Sequence, residues 1–159
     1  NQWLAFKQMR FKYFLCLFSN LVMAQSLTFQ DMNLNLHSAD QKINILSRSV
    51  STCSDNLCLD APTLLFQKQN NHLTLSAKTG EIDQKFNELV ASEVQLKTKG
   101  WNASANLISY NKNQESLVLN HATLKWSNFL IVSPKTQIDL SQQHFKIKGP
   151  WSITYDKKK

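Results

Sequence analysis

The sequence predicts an all-β fold: an open, twisted β-jellyroll or antiparallel sandwich, preceded by a short hydrophobic leader helix. Three observations carry that expectation. First, Leu73–Gly100, Trp101–Asn128 and Phe129–Asp156 align without a gap at a period of 28 residues. Each unit reads as strand, polar turn, strand, the mark of an architecture made by repeating one supersecondary unit. Second, apolar and polar residues alternate with period two between these turns. Third, no helical periodicity of any length follows Ala24, and glycine is scarce, with only Gly80, Gly100 and Gly149.

In chain order, residues 1–24 form a leader. Arg10 and Lys12 precede an apolar run from Tyr13 to Met23, and Val22-Met23-Ala24 offers a small residue before Gln25. That is the layout of a secretory signal, with Met9 as an alternative start to Asn1. As an uncleaved anchor the run is short: eleven helical residues rise about 16 Å against a hydrocarbon core of about 30 Å. Either form sends residues 25–159 out of the cytoplasm as one domain.

Leu27 and Phe29, then Met32, Leu34 and Leu36, alternate with polar residues but change phase between Phe29 and Met32, so one strand with a bulge or two short strands are expected. Ile43 and Ile45 continue the alternation. Cys53 and Cys58 flank the polar turn Ser54–Leu57, and three states are open to them. They can close a small disulfide loop in an oxidising compartment, stay as free thiols, or take a redox or metal role, the last disfavoured without further ligands at finger spacing. Pro62 marks entry to the strand Thr63–Phe66. The repeats then supply Leu73–Ala77, Leu89–Leu96, Trp101–Tyr110, Leu117–Trp126, Phe129–Val132, Ile138–Leu140, Phe145–Ile147 and Trp151–Tyr155. The connecting turns are short, so neighbours should pair antiparallel in sequence order.

Composition excludes several function classes. Hydrophobic residues at 42% and charged residues at 18% suit a folded domain. The formal charge is +7, but Lys7, Arg10 and Lys12 lie in the leader, leaving 15 basic residues against 11 acidic. Such a mild excess, with no basic stripe or stacking platform, does not predict nucleic-acid binding. His37, His72, His121 and His144 fall in separate contexts without metal-ligand or nucleophile spacing, so no catalytic residue, metal or cofactor is expected.

The alternation on single strands predicts two faces. Trp101, Ala103, Ala105 and Leu107 oppose Ile108 and Tyr110; Leu117 and Leu119 oppose Val118, Ala122, Leu124 and Trp126. Small residues on the inner face would leave an apolar slot between the sheets, wide enough to hold acyl chains. The expected lining is Leu73, Leu75, Ala77, Leu89, Ala91, Ala103, Ala105, Leu107, Leu117, Leu119, Phe145 and Ile147.

Five stretches carry a resemblance: APTLLF (61–66), LTLSAKTGEID (73–83), LVASEVQL (89–96), ANLISY (105–110) and LVLNHATL (117–124). In their order and period they resemble the periplasmic lipopolysaccharide-transport proteins of the OstA-like family, the inner-membrane C component first and the soluble bridge A component second. The family often has glycine before each valine-x-leucine strand, where this chain has Ala91-Ser92-Glu93 and Asn120-His121-Ala122. The resemblance implies a non-enzymatic periplasmic conduit that receives the acyl chains of lipopolysaccharide or lipooligosaccharide. It also implies joining to the inner-membrane transporter and the periplasmic bridge by strand pairing, at edges expected around Leu27, Phe29, Phe145, Ile147 and Ile153, with the inner membrane a further partner if the leader is retained. An exported structural or protein-binding β-domain without a lipid ligand is the alternative. The last strand alternates Phe145 and Ile147 with Lys146 and Lys148, whose charges suit lipid phosphates or simply discourage edge aggregation.

Overall fold

The computed structural model describes residues 28–37, 40–140 and 144–157. The leader, and Leu27 among the expected edge residues, lie outside the described residues. Twelve antiparallel strands form one sheet: β1 (Thr28–His37), β2 (Gln41–Cys53), β3 (Asn56–Asp60), β4 (Thr63–Lys68), β5 (Asn71–Ser76), β6 (Thr79–Ile82), β7 (Glu88–Thr98), β8 (Trp101–Asn111), β9 (Ser116–Trp126), β10 (Phe129–Asp139), β11 (His144–Lys148) and β12 (Ser152–Tyr155).

The topology simplifies on inspection of the pairings. β3 and β4 both pair with β2, β5 and β6 both pair with β7, and β11 and β12 both pair with β10. Each of these couples is one strand broken in the middle. The sheet is therefore a plain meander of nine long runs in sequence order, as the short turns predict, with β1 at one edge and β11–β12 at the other.

The breaks lie on a line that crosses every run. Between β1 and β2, Gln30 pairs Ser49 and Met32 pairs Ser47, so Asp31 and Arg48 face each other unpaired. The same gap recurs at Glu93 with Asn106, between the pairs Ser92–Leu107 and Val94–Ala105. Between β9 and β10 it falls at His121 with Pro134, flanked by Ala122–Ser133 and Asn120–Lys135. Asp31, Ala61, Glu93 and His121 have φ of 54°, 48°, 50° and 51°, and Gly149 has 82°. A left-handed residue inside a strand bends it and sends two successive side chains to the same side, as in a β-bulge. Burial accordingly changes phase at the line: Ala91 then Val94, Ala105 then Ile108, Leu119 then Ala122, Ser133 then Thr136.

The line folds the sheet in two. One layer holds β4, β5, β12 and the adjoining halves of the long strands; the other holds β3, β6, β11 and the remaining halves. Both halves of the inner face are buried in one core, from Leu34, Ile43 and Ile45 to Leu124 and Ile138. A left-handed non-glycine residue costs about 1 kcal/mol or more. Burying one core side chain returns about 1.5–3 kcal/mol, so the crease is sustainable. Backbone bonds hold it: Ala61 N–H to Lys78 O at 2.8 Å, Ala77 N–H to Pro62 O at 3.0 Å, and Lys78 N–H to Ser92 O at 3.1 Å. The buried hydroxyls of Ser133 and Thr136 satisfy each other at 2.6 Å.

The crease corrects the sequence-based assignment of faces. Ile108 and Tyr110 share the interior with Ala103 and Ala105, and Ala122 and Leu124 share it with Leu117 and Leu119. Leu107 instead points outward and is 38% exposed. The expected slot is also closed where the small residues lie: Ala91, Ala103, Ala105 and Ala122 are buried against larger neighbours.

The turn between β2 and β3 is closed by a Cys53–Cys58 disulfide, which resolves the three states the spacing left open. Closing six residues contributes about 2 kcal/mol on the loop-entropy estimate. Neither thiol should react with maleimide in the non-reduced protein, and Cys53→Ser/Cys58→Ser should lower the unfolding free energy by about that amount. Full labelling without reductant contradicts the first expectation.

Candidate functional site

The two layers are not stacked strand over strand. Phe66 in β4 meets Tyr110 in β8 edge-to-face, ring centroids 5.1 Å apart. Trp101 in β8 meets Phe145 in β11 in the same way at 5.0 Å. Numbering the nine runs in order, β4 belongs to the third, β8 is the sixth and β11 belongs to the ninth. Each run of one layer thus faces the run three places later in the other, as accumulated sheet twist requires. The last three runs of the β4 layer have no later runs to face, and beyond the buried Ala122, Leu124 and Ser133 the far end of their inner surface opens to solvent.

That opening is lined by aromatic residues in register. Trp101 pairs Trp126, Trp126 pairs Phe129, and Phe129 pairs Tyr155, across four adjacent strands. The Trp126 and Phe129 rings lie 6.2 Å apart and those of Phe129 and Tyr155 5.0 Å apart. Ile131 and Ile153 follow in the next paired row. Trp126 is 60% and Tyr155 56% exposed, with Trp101 and Phe129 half-buried. Sequence reasoning missed Trp126, Phe129 and Tyr155 as site residues. The signal was present: Trp126 and Phe129 flank the two-residue turn Ser127-Asn128, so they had to pair.

Trp101 also belongs to a cavity of about 250 Å³ between the layers, whose apolar wall includes Phe66, Leu73, Ile138, Leu140 and Phe145. Its rim is polar. Lys68 Nζ lies 2.8 Å from Glu115 and 3.7 Å from Asp40, and His72 and Lys99 stand nearby. The hydrogen bond and charge of Glu115, aided by Asp40, hold the Lys68 ammonium above its ordinary pKa. Beneath it, burial pushes the Tyr110 phenol well above its ordinary range, while the neighbouring Gln41 side chain lowers it and Glu115 raises it. No hydrogen bond to the buried Tyr110 hydroxyl meets strict geometry.

Both shifts have the same sign. A group whose pKa is raised on folding stabilises fully below its unfolded value and loses that contribution as pH rises towards the folded value. For Tyr110 and Lys68 the window therefore opens above about pH 10. Stability should be insensitive to these groups through neutrality and fall in alkali. Tyr110→Phe removes a poorly satisfied buried hydroxyl, so it should be neutral or stabilising by up to about 1 kcal/mol at pH 7 and should flatten the alkaline limb. Chemical denaturation at pH 7 and above pH 10 checks both points.

Of the expected lining, Leu73, Leu75, Leu89, Ala91, Ala103, Ala105, Leu117 and Leu119 are brought together in the core, and Ala77 packs on its margin. Only Leu73 also reaches the cavity wall. Phe145 stands at the mouth, Ile147 is half-buried beside it, and Leu107 is outside. Of the expected edge residues, Phe29 lies on β1, Phe145 and Ile147 on β11, and Ile153 on β12, all on edge runs. Cys53, Cys58 and Glu81 form the one cluster of metal-capable side chains among the described residues, but its two sulfurs are joined to each other.

No family model and no curated protein matches this chain. Among solved structures it is similar to LptH, the LptA-homologous periplasmic component of the lipopolysaccharide transport device of Pseudomonas aeruginosa. The identity is 13%, the TM-score 0.36, and the match covers 84% of this chain and 96% of that one. Among the described residues, no helix is long and apolar enough to cross a membrane.

Proposed function

We propose that the protein is a non-enzymatic, periplasmic component of lipopolysaccharide transport towards the outer membrane, and that it holds acyl chains at the aromatic mouth. The ligand class is lipopolysaccharide or lipooligosaccharide. The observation that carries this reading is the paired row Trp126, Phe129 and Tyr155, left uncovered by the three-run offset and joined through Trp101 to the cavity below. The repeated segments that resemble the OstA-like family support it from the sequence side, with the inner-membrane C role ahead of the bridge A role.

The cavity falls short of the roughly 300 Å³ at which small-molecule pockets begin, so a lipid chain would enter only part-way and lie along the exposed rings. Each methylene covered contributes about 0.8 kcal/mol, so a few are enough for useful affinity. Lys99 at the rim suits the phosphates of such a lipid. Among the described residues β1 and β11–β12 are the edge runs of the sheet, and such edges suit strand addition by like domains, the inner-membrane transporter on one side and the bridge on the other. Retention of the leader would add the inner membrane as a partner.

One observation favours the second reading, a protein-binding β-domain without lipid: most of the interior is filled by its own side chains. Photo-crosslinking separates the two. A photoreactive residue at Trp126 or Phe129 should label with purified lipopolysaccharide, and one at the closed core position Leu119 should not. Labelling confined to the outward site Lys125, or absent everywhere, would sink the lipid reading. Trp126→Ala/Phe129→Ala should reduce lipopolysaccharide binding at least ten-fold, since covering two such side chains is worth about 3 kcal/mol.

A further inference from the structure

The outer surface of the last runs, on the opposite side of the sheet from the mouth, has a different chemistry. Lys135 on β10 pairs directly with Lys148 on β11, and Lys146 pairs Gln137 one row further on. All three lysines are exposed and project outward, because the residues that alternate with them, Phe145 and Ile147, pair with the buried Ile138 and Thr136 and project inward. Like charges placed directly opposite destabilise a sheet. Among the described residues none of the three is in an ion pair: those present are Arg48–Asp60, Lys68–Asp40, Lys68–Glu115 and Lys78–Glu93.

Beside these lysines the crease leaves a groove of about 440 Å³, lined by His121, Val132, Pro134, Pro150, Trp151 and Ser152. It exists because three residues, Gly149-Pro150-Trp151, span the gap between β11 and β12 opposite only Ser133 and Pro134. Its shape is held: Gly149 has φ +82°, and a Cβ there would lie 2.6 Å from Pro134 Cγ. Trp151 is 55% exposed in it, and Leu130 and Val132 extend the apolar surface on the same outer face, with Lys125 paired to Leu130.

We propose that this outer face is a docking surface for an anionic phospholipid bilayer. Charge complementarity decides the occupant: the lysines form no ion pair among the described residues, and a negatively charged leaflet supplies partners. The adjoining tryptophan and aliphatic side chains fit the headgroup boundary, where amphipathic rings concentrate. A nucleic acid would require several stacking rings on this face, and among the described residues only Trp151 offers one there. The surface is independent of the mouth and does not rest on the lipopolysaccharide reading.

The test is vesicle co-sedimentation with the full chain, using phosphatidylcholine alone and phosphatidylcholine mixed with phosphatidylglycerol. All variants carry the same residues 1–27, so any contribution of the leader is common to them. Binding should require the anionic lipid and weaken with salt. Each lysine near a charged surface is worth about five-fold in partitioning, so Lys135→Gln/Lys146→Gln/Lys148→Gln should weaken it on the order of 100-fold with the thermal transition unchanged or slightly raised. Brominated lipid should quench tryptophan fluorescence in the parent and much less in Trp151→Phe. Trp126→Ala should leave vesicle binding unchanged, which separates failure of this proposal from failure of the mouth reading. Equal binding to both vesicle types, insensitivity to the triple substitution, or loss with Trp126→Ala would overturn it. So would binding to polyglutamate with none to vesicles, which would assign the face to an acidic protein.

Discussion

Leu119→Ala is expected to lower the unfolding free energy by about 3 kcal/mol, within the range of about 2–5 kcal/mol for buried leucines, while Leu107→Ala should cost under about 1 kcal/mol. Leu119 is fully buried, paired to Ile108 on one side and Thr136 on the other, so neighbours locked in two ladders cannot collapse into the space left behind. Leu107 pairs Asn120 and Ser92 on the outer face. Simple alternation from Ala103 and Ala105 places Leu107 inside, so this pair of variants tests the crease directly. Urea denaturation with an unchanged m-value is the measurement. Equal losses at the two positions would show that β8 continues through Asn106 without changing phase.

Gly149→Ala should cost about 2–4 kcal/mol in the stability of the final run, combining the left-handed backbone with a contact of 2.6 Å to the Pro134 ring. Because β11 and β12 form an edge, the loss is expected as local release. Hydrogen exchange should accelerate at the β10 amides that pair with them while β7 and β8 stay protected. The equivalent positions one and two repeats earlier, His121 and Glu93, are left-handed without being glycine. His121→Gly should therefore be neutral or stabilising by up to about 1 kcal/mol. Destabilisation by both glycine-to-alanine at 149 and histidine-to-glycine at 121 would mean that the crease does not depend on backbone conformation.

The spacing of 93, 121 and 149 is 28 residues, the period of the repeat itself. The repeat thus marks more than strand length: it places one left-handed residue in every second run, on one line. The same sites are those where this chain lacks glycine at Glu93 and His121, and Gly149 alone has it. Legible in the residues themselves were most of the strands, the antiparallel order, the edge runs, the bulge between Phe29 and Met32, and the nearness of Cys53 and Cys58; Phe129–Val132 and Ile138–Leu140, expected as two strands, are one continuous β10, and the short β3 and β6 were not expected. The legible features all depend on local alternation and on turns a few residues long.

The mouth was legible only in part. The rule that residues flanking a two-residue turn must pair brings Trp126 to Phe129, but nothing local says that this row lies uncovered. Exposure there depends on the offset between the layers, which is twist summed over many strands. Likewise Leu107 is misplaced and the alanine slot looks open when strands are read singly, because a single left-handed residue reverses every side chain beyond it. The sequence by itself determined what each run is made of and which run it pairs with. Only the tertiary structure decided which side of each run faces in, and where the closed core ends and the aromatic mouth begins, because side-chain direction past a φ-positive residue and coverage by a distant layer are non-local quantities.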